Sequence, residues 1–189
     1  MGFIDENDYP LINEEQKIRI ALSDRAKLTM AEDMDVFGTP KAATFINTVF
    51  NNFKSEARSS ISLYLQQREL ELDRLFTGAK LDAISKKIAI DQILTVEKKE
   101  IQSKIAEYSN SKGESKLYHI NDNNVEYLLE DCDEEQYYGR PGLYIRSVIE
   151  EYCSLPFIKR ERIYRKDIYE TIEKACSEKR ILKIKANYY

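Results

Sequence analysis

Alternation of apolar and polar residues predicts a short β-strand near the start of the chain. In residues 17–23 (KIRIALS), apolar side chains occupy every second position. The alternating sets are Ile18, Ile20 and Leu22 on one side, and Lys17, Arg19 and Ala21 on the other. This spacing is typical of a strand with one buried and one exposed face. Because a lone strand exposes its edge, we expect it to pair with a second chain or with another segment of the same chain.

Two helices are predicted to follow this strand. Ser23 or Asp24 is placed to cap the first helix, and Gly38 is placed to end it. Thr39 is the predicted N-cap of the second helix, with Pro40 at its first position. The apolar stripe predicted for the first helix is Leu28, Ala31, Met34, Val36 and Phe37, and that for the second is Phe45, Ile46, Val49, Phe50 and Phe53.

Helical spacing continues well beyond the second helix. Apolar residues recur as far as Leu75 without an intervening Gly or Pro, which predicts one long helix that ends at Gly78. A further long helix is predicted to end between Ser109 and Gly113. The simplest arrangement of two such helices is an antiparallel helical hairpin.

The opening pattern returns in the second half of the chain. Residues 116–120 (KLYHI) predict a strand, and residues 144–152 (YIRSVIEEY) match residues 45–53 (FINTVFNNF) in pattern at every position. Such self-similarity predicts a duplicated unit, in which strands 17–23 and 116–121 pair within one chain. We expect the outward face of the second strand to carry Lys116, Leu117 and His119. The alternative is a helix–loop–helix of similar amphipathicity without a ribbon.

The composition is typical of a mainly helical globular protein. The 189 residues are 42% hydrophobic and 33% charged, with only four Pro and six Gly. No apolar run approaches the roughly 20 residues of a membrane span, and no signal peptide is recognisable, so we expect a cytoplasmic protein. Three widely spaced cysteines and a single histidine predict neither a disulfide framework nor a metal site. No nucleophile–base pair or cofactor motif is recognisable, so an enzyme or a bound cofactor is not expected.

Cationic residues form two candidate contacts with nucleic acid, although the net charge is −4. Lys17 and Arg19 lie on the outward face of the predicted ribbon, and Arg can bridge O6 and N7 of guanine. Their alternative role is that of an exposed polar strand face. The second candidate is a cluster whose alternative role is a solvated linker paired with Glu161 and Asp167. Its members are Lys159, Arg160, Arg162, Arg165 and Lys166.

The order strand, helix, helix resembles that of the ribbon-helix-helix DNA-binding family, whose paired strands enter the major groove. The resemblance implies that Lys17, Arg19 and Ala21 face the bases. It also implies that Thr39 and Lys41, at the start of the second helix, hold a phosphate through backbone amides.

Residues 143–185 resemble the segment that precedes a WYL domain in bacterial regulators. The matching pieces are EEYCSLPFIKRERIYRKD, IYETIEKACSEK and RILKIKA, in that order. The resemblance implies a linker helix and, from residue 180, the first strand of an SH3-like WYL barrel. The chain contains no Trp and only the start of that barrel. The ligand-binding residues of WYL domains therefore cannot be assigned to positions in it.

Together these patterns predict a mainly α protein with a short β-ribbon, divided into five segments. They are a flexible arm (1–15), a ribbon-helix-helix unit (16–57), a helical hairpin (58–113), a second, degenerate unit (114–157), and a linker helix with the first WYL strand (158–189). The predicted function is that of a homodimeric, sequence-specific DNA-binding transcription regulator. The WYL resemblance also implies an alternative, an accessory protein of type VI CRISPR systems that binds single-stranded RNA. A third possibility is a scaffold for dimerisation or protein interaction.

Overall fold

The computed structural model describes residues 16–110, 113–132, 137 and 140–186. The described chain is mainly helical, with one two-stranded antiparallel sheet. Its elements are β1 (Lys17–Ile20), α1 (Asp24–Phe37), α2 (Ala42–Phe53), α3 (Ile61–Thr77), α4 (Ala83–Asn110), β2 (Lys116–His119), α5 (Asp122–Asp131), α6 (Pro141–Ser154), α7 (Phe157–Tyr164) and α8 (Lys166–Ala186). The described elements form two units, one within residues 16–154 and the other within residues 155–186. The predicted flexible arm, residues 1–15, lies outside the described residues.

The two strands pair within one chain, which confirms the intrachain ribbon predicted from the repeat. Ile18 lies opposite Tyr118, and Arg19 lies opposite Leu117. The same register places Lys116 opposite Ile20, on the inward side of the ribbon, so the outward position predicted for Lys116 is wrong. Both strands are shorter than predicted, since they end at Ile20 and His119.

Each strand ends early because the next residues approach a helix cap. The side chains of Ser23 and Asn121 each accept a hydrogen bond from the backbone amide three residues later, at 3.1 and 3.2 Å. Glu150 of α6 accepts hydrogen bonds from the amide of Ser23 at 2.6 Å and from its hydroxyl at 2.7 Å. In the other half, Asn47 of α2 accepts one from the amide of Asn121 at 2.9 Å. Helix α6 thus holds the capping residue of α1, and helix α2 holds the capping residue of α5.

Helices α2 and α6 form the centre of the core beneath the ribbon. Helix α6 contacts β1, α1, α2 and α4, while α2 contacts β2 and α5. Aromatic rings lock the two helices together: Phe45 meets Tyr152 edge-on at 5.9 Å, and Phe50 meets Tyr144 at 5.5 Å between ring centroids. The apolar stripe predicted for α2 is confirmed, because all five of its members are buried.

The stripe predicted for α1 is wrong. Leu28 and Val36 are 67% and 58% exposed, whereas Ala26, Met30 and Asp33 are buried. Buried positions at 26, 30 and 33 follow the spacing of one helical face. That face includes an aspartate, whose carboxylate accepts a hydrogen bond from the Tyr152 hydroxyl at 3.1 Å. A buried carboxylate with a hydrogen-bond partner is tolerated in a core, but hydrophobicity alone does not reveal it.

The single long helix predicted up to Gly78 is divided in two. Helix α2 ends at Phe53, and α3 begins at Ile61. Between them, the carboxylate of Glu151 accepts hydrogen bonds from the amides of Arg58 and Ser59, at 2.8 and 2.9 Å. Because these amides bond to a distant carboxylate, they are not available to continue a helix from α2.

The turn between α1 and α2 is also longer than predicted. Gly38 has φ +68° and its amide donates to the last turn of α1, which confirms it as the residue that ends this helix. The amide of Thr39 donates to the carbonyl of Met34 at 2.9 Å, so Thr39 belongs to the end of α1. The N-cap of α2 is consequently Lys41 rather than Thr39, and Pro40 lies in the turn.

Helices α3 and α4 form the predicted antiparallel hairpin. Leu72 and Ile90 are buried along it. Glu97 of α4 accepts hydrogen bonds from the Tyr64 hydroxyl at 2.9 Å and from Arg68 at 3.1 Å. The apolar seam and these polar contacts together fix the pairing of the two helices.

The second unit consists of α7 and α8. Residues 180–186 belong to α8, so the strand predicted there is wrong. A strand needs a neighbouring strand for its backbone hydrogen bonds, and in the described chain β1 and β2 pair with each other. Residues with high helix propensity instead continue the hydrogen-bond ladder of α8.

Replacing Glu150 tests the contact that connects the two halves. Glu150→Ala would leave the amide of Ser23 without its acceptor, and would remove the carboxylate that lies 3.9 Å from the largely buried Arg146. We expect the free energy of unfolding to fall by about 3 kcal/mol, because a buried cation loses its counter-charge. Urea denaturation is the measurement. Glu126→Ala, on the exposed side of α5, is the control and should change stability by less than about 0.5 kcal/mol.

Candidate nucleic-acid interface

The outward face of the ribbon carries Lys17 and Arg19, two of the residues predicted to contact nucleic acid. Ile18 and Ile20 are each 1% exposed and point into the core. The intervening Arg19 is exposed and Lys17 is half-buried, and their partners across the ribbon are Leu117 and His119, both exposed. One face of the ribbon thus anchors it to the helices, while the other presents side chains to the solvent.

Ser115 is a member of this face that the sequence analysis missed. Its hydroxyl accepts a hydrogen bond from the Arg19 guanidinium at 3.4 Å. Continuing the register by one outward pair places Ala21 opposite Ser115, and a Cβ at the nearby Gly113 would lie 3.5 Å from that of Ala21. Ala21 itself is half-buried and follows the end of β1. Alignment of the two capping residues, Ser23 and Asn121, would have identified Ser115 as the counterpart of Lys17.

Both strands are supported through their backbones. The carbonyl oxygen of His119 accepts a hydrogen bond from the Asn47 side chain at 2.8 Å. On the other strand, α6 approaches so closely that a Cβ at Gly142 would overlap the carbonyl oxygen of Arg19. The outward side chains therefore project from a backbone that α2 and α6 hold in place.

Positive charge on the ribbon is concentrated on one strand. Residues 16–21 carry Lys17 and Arg19 and no acidic residue. Residues 113–120 carry Lys116 and also Glu114, so their formal charges cancel. Burial raises the pKa of the Tyr118 hydroxyl, and the nearby Glu114 carboxylate acts in the same direction. Tyr118 thus stays neutral. Because Lys116 lies on the inward side of β2, the cationic character of the outward face comes from β1.

The start of α2 is arranged differently from the predicted phosphate contact. Thr39 is buried, and its amide already donates to Met34. Lys41 is exposed and has no side-chain capping bond. Any anion at this helix end would meet Lys41 and the amides that follow it, rather than the amide of Thr39.

In the second unit, the basic cluster is largely engaged within the protein. Arg160 donates to the carbonyl of Leu155 at 2.6 Å. Arg162 lies 2.9 Å from Glu173, and Arg165 lies 3.7 Å from Glu161. Lys159 is exposed on α7. These pairs weaken the net positive field of the cluster and favour its role as a charged linker surface over that of a dense phosphate contact.

A buried tyrosine cluster in the first unit is structural. The hydroxyls of Tyr144 and Tyr127 both bond to the carboxylate of Asp131, at 2.9 and 3.0 Å. Tyr137 stacks on Tyr144 with ring centroids 4.3 Å apart. Desolvation by burial raises the pKa of all three phenols, so they remain protonated. The cluster joins α5 to α6 in the core.

Two further properties concern only the described residues. Among them, no three His, Cys, Asp or Glu side chains come together in a way that could hold a metal ion. None of the helices in that part of the chain is both long and apolar enough to cross a membrane.

Comparison with known proteins identifies no family. No family model matches the chain, and a search of the curated proteins found no match. Among solved structures, the chain is similar to one described as "Crystal structure of a CRISPR Cas-related protein", with 20% sequence identity and a TM-score of 0.49. The similar region covers 88% of this chain and 46% of the other chain. The present chain therefore spans less than half of that protein.

Proposed function

We propose that this protein binds double-stranded DNA through the outward face of its β1–β2 ribbon, as a transcription regulator of the ribbon-helix-helix type. The observation that carries this proposal is the antiparallel ribbon, which buries Ile18 and Ile20 on its inward side and presents Lys17 and Arg19 on its outward side. The major groove of DNA admits a two-stranded ribbon, and bases are distinguished there by their donors and acceptors. The resemblance to WYL regulators and the formation of a homodimer remain predictions.

The two cations have different expected roles on DNA. Arg19 is exposed and lies within the paired segment of β1, so its guanidinium can reach the base edges as a bidentate donor to guanine. Lys17 is half-buried near the end of the ribbon, opposite His119, and supplies a point charge to the same edge or to the adjoining phosphate. Lys41 at the start of α2 is a candidate for a further phosphate contact.

Fluorescence-anisotropy titration tests this function. Purified protein is titrated with a random-sequence duplex and with single-stranded RNA over a salt series. We expect tighter binding to the duplex than to the RNA, and we expect Lys17→Ala/Arg19→Ala to lose about 2 kcal/mol of the free energy of binding to the duplex. The control is Lys87→Ala/Lys99→Ala on exposed positions of α4, which removes the same charge away from the ribbon. Equal loss in both double variants would contradict ribbon-mediated binding, and tighter RNA binding would favour the CRISPR accessory alternative.

A protein-interaction scaffold is the second candidate function. The helical hairpin exposes large apolar side chains, among them Leu70, Leu75 and Ile84 at 63%, 70% and 74%. Exposed apolar side chains that share a surface mark sites of protein contact. This function predicts no binding of either nucleic acid at moderate salt, and no effect of the Lys17→Ala/Arg19→Ala change.

A further inference from the structure

The ribbon has a pseudo-twofold axis that passes between Arg19 and Leu117. Each of these residues lies four positions before the capping residue of the next helix, Ser23 in one half and Asn121 in the other. The two residues also lie directly opposite each other in the ribbon. Two positions that are equivalent in the repeat and also paired with each other must lie on either side of the axis that relates the two halves.

The side chains around this axis are not equivalent. One half contributes Lys17, Arg19 and Ala21 to the outward face, and the other contributes Ser115, Leu117 and His119 at the corresponding positions. Lys17 is thus equivalent to Ser115, Arg19 to Leu117, and Ala21 to His119, and the two side chains differ in chemistry within each of these three pairs. The backbone repeats, whereas the chemistry of the face does not.

We propose that a single chain reads an asymmetric, non-palindromic DNA site, with the position of Arg19 relative to Leu117 setting its orientation. The inference rests on the proposed function. Arginine is suited to the O6 and N7 acceptors of guanine, and an apolar side chain is suited to the methyl group of thymine. The half-site beneath Arg19 is thus expected to contain guanine, and the one beneath Leu117 to contain thymine. Because both strands come from one chain, the outward face of the β1–β2 ribbon is complete without a second copy of the protein.

Exchange of the two side chains across the axis tests this inference. Arg19→Leu/Leu117→Arg keeps composition, net charge and the buried face unchanged, since both positions are outward. Duplexes bound by the wild-type protein and by this variant are selected from a random library and sequenced. We expect a non-palindromic consensus for the wild-type protein, and a guanine that moves to the other side of the axis for the variant. Unfolding curves of both proteins should coincide, which separates recognition from folding.

The possible outcomes separate this inference from the proposed function. If the wild-type protein selects a palindrome and binds with two chains per site, the asymmetric reading is wrong while DNA binding stands. If the guanine keeps the same position relative to the bases next to Lys17 and His119 in both selected sites, Arg19 does not set the orientation. If neither enriches any duplex, the proposed function fails and the inference with it. When the base sequence of one half-site in the duplex preferred by the wild-type protein is reversed, we expect the affinity of the wild-type protein to fall about tenfold or more.

Discussion

Ile20→Asp is expected to unfold the first unit, with a loss of more than about 4 kcal/mol. Ile20 is 1% exposed on the inward side of β1, above the helices that form the core. The substitution removes an apolar side chain from a packed site and places a carboxylate in its buried position. The exposed Lys116 across the ribbon offsets only part of the cost of desolvating that charge. Losses of this size exceed those of most single substitutions and are measured as a fall in the midpoint of urea denaturation.

The matched control lies on the other face of the same ribbon. Leu117→Asp introduces the same charge in place of an apolar residue, but Leu117 is 52% exposed. We expect its free energy of unfolding to stay within about 0.5 kcal/mol of the wild-type value. A folded Ile20→Asp protein, or an unfolded Leu117→Asp protein, would overturn the assignment of inward and outward faces.

Gly142→Ala is expected to lower stability by about 2 kcal/mol, although alanine is the better helix former. A Cβ at this position would overlap the carbonyl oxygen of Arg19 and lie 3.4 Å from Cγ2 of Ile18. The overlapping atom belongs to the backbone, so α6 or β1 must move. Overpacking of this kind costs about 1–3 kcal/mol, which outweighs the gain of up to about 1 kcal/mol in helix propensity. The displacement also reaches Arg19, so DNA affinity should fall.

Gly78→Ala is the control for this substitution. Gly78 has φ −84°, and nothing lies within 4 Å of a Cβ built there. We expect a change of less than about 0.5 kcal/mol in stability and none in DNA binding. If Gly142→Ala were as stable as Gly78→Ala, the close approach of α6 to β1 would be wrong.

Local patterns in the sequence predicted the structure correctly where neighbouring residues determine it. Alternation at Ile18 and Ile20 predicted the buried face of β1, because side chains on a strand change sides at every residue. Gly38 predicted the end of α1, because the left-handed backbone conformation required there is accessible to glycine. The repeat also predicted the pairing of residues 116–120 with β1, since equivalent strands in a duplicated unit share one ribbon.

Sequence patterns predicted the wrong element where a residue distant in the chain determines the local structure. The break between α2 and α3 has no Gly or Pro, and it depends on Glu151, which accepts from the amides of Arg58 and Ser59. The start of α2 depends on a backbone bond between Thr39 and Met34 rather than on the capping preference of threonine. The strand predicted at residue 180 failed because β-structure requires a partner strand, whereas a helix completes its hydrogen bonds locally.

The sequence by itself determined the helical class, the position of the ribbon and the identity of the outward cations on β1, because periodicity and capping act within a few residues along the chain. The tertiary structure decided the register that places Arg19 against Leu117 and the inclusion of Ser115 in the outward face. It also decided the contacts of the capping residues, Ser23 with α6 and Asn121 with α2. These features depend on contacts between residues about 100 positions apart, and loop closure over such distances leaves no periodic signal in the chain.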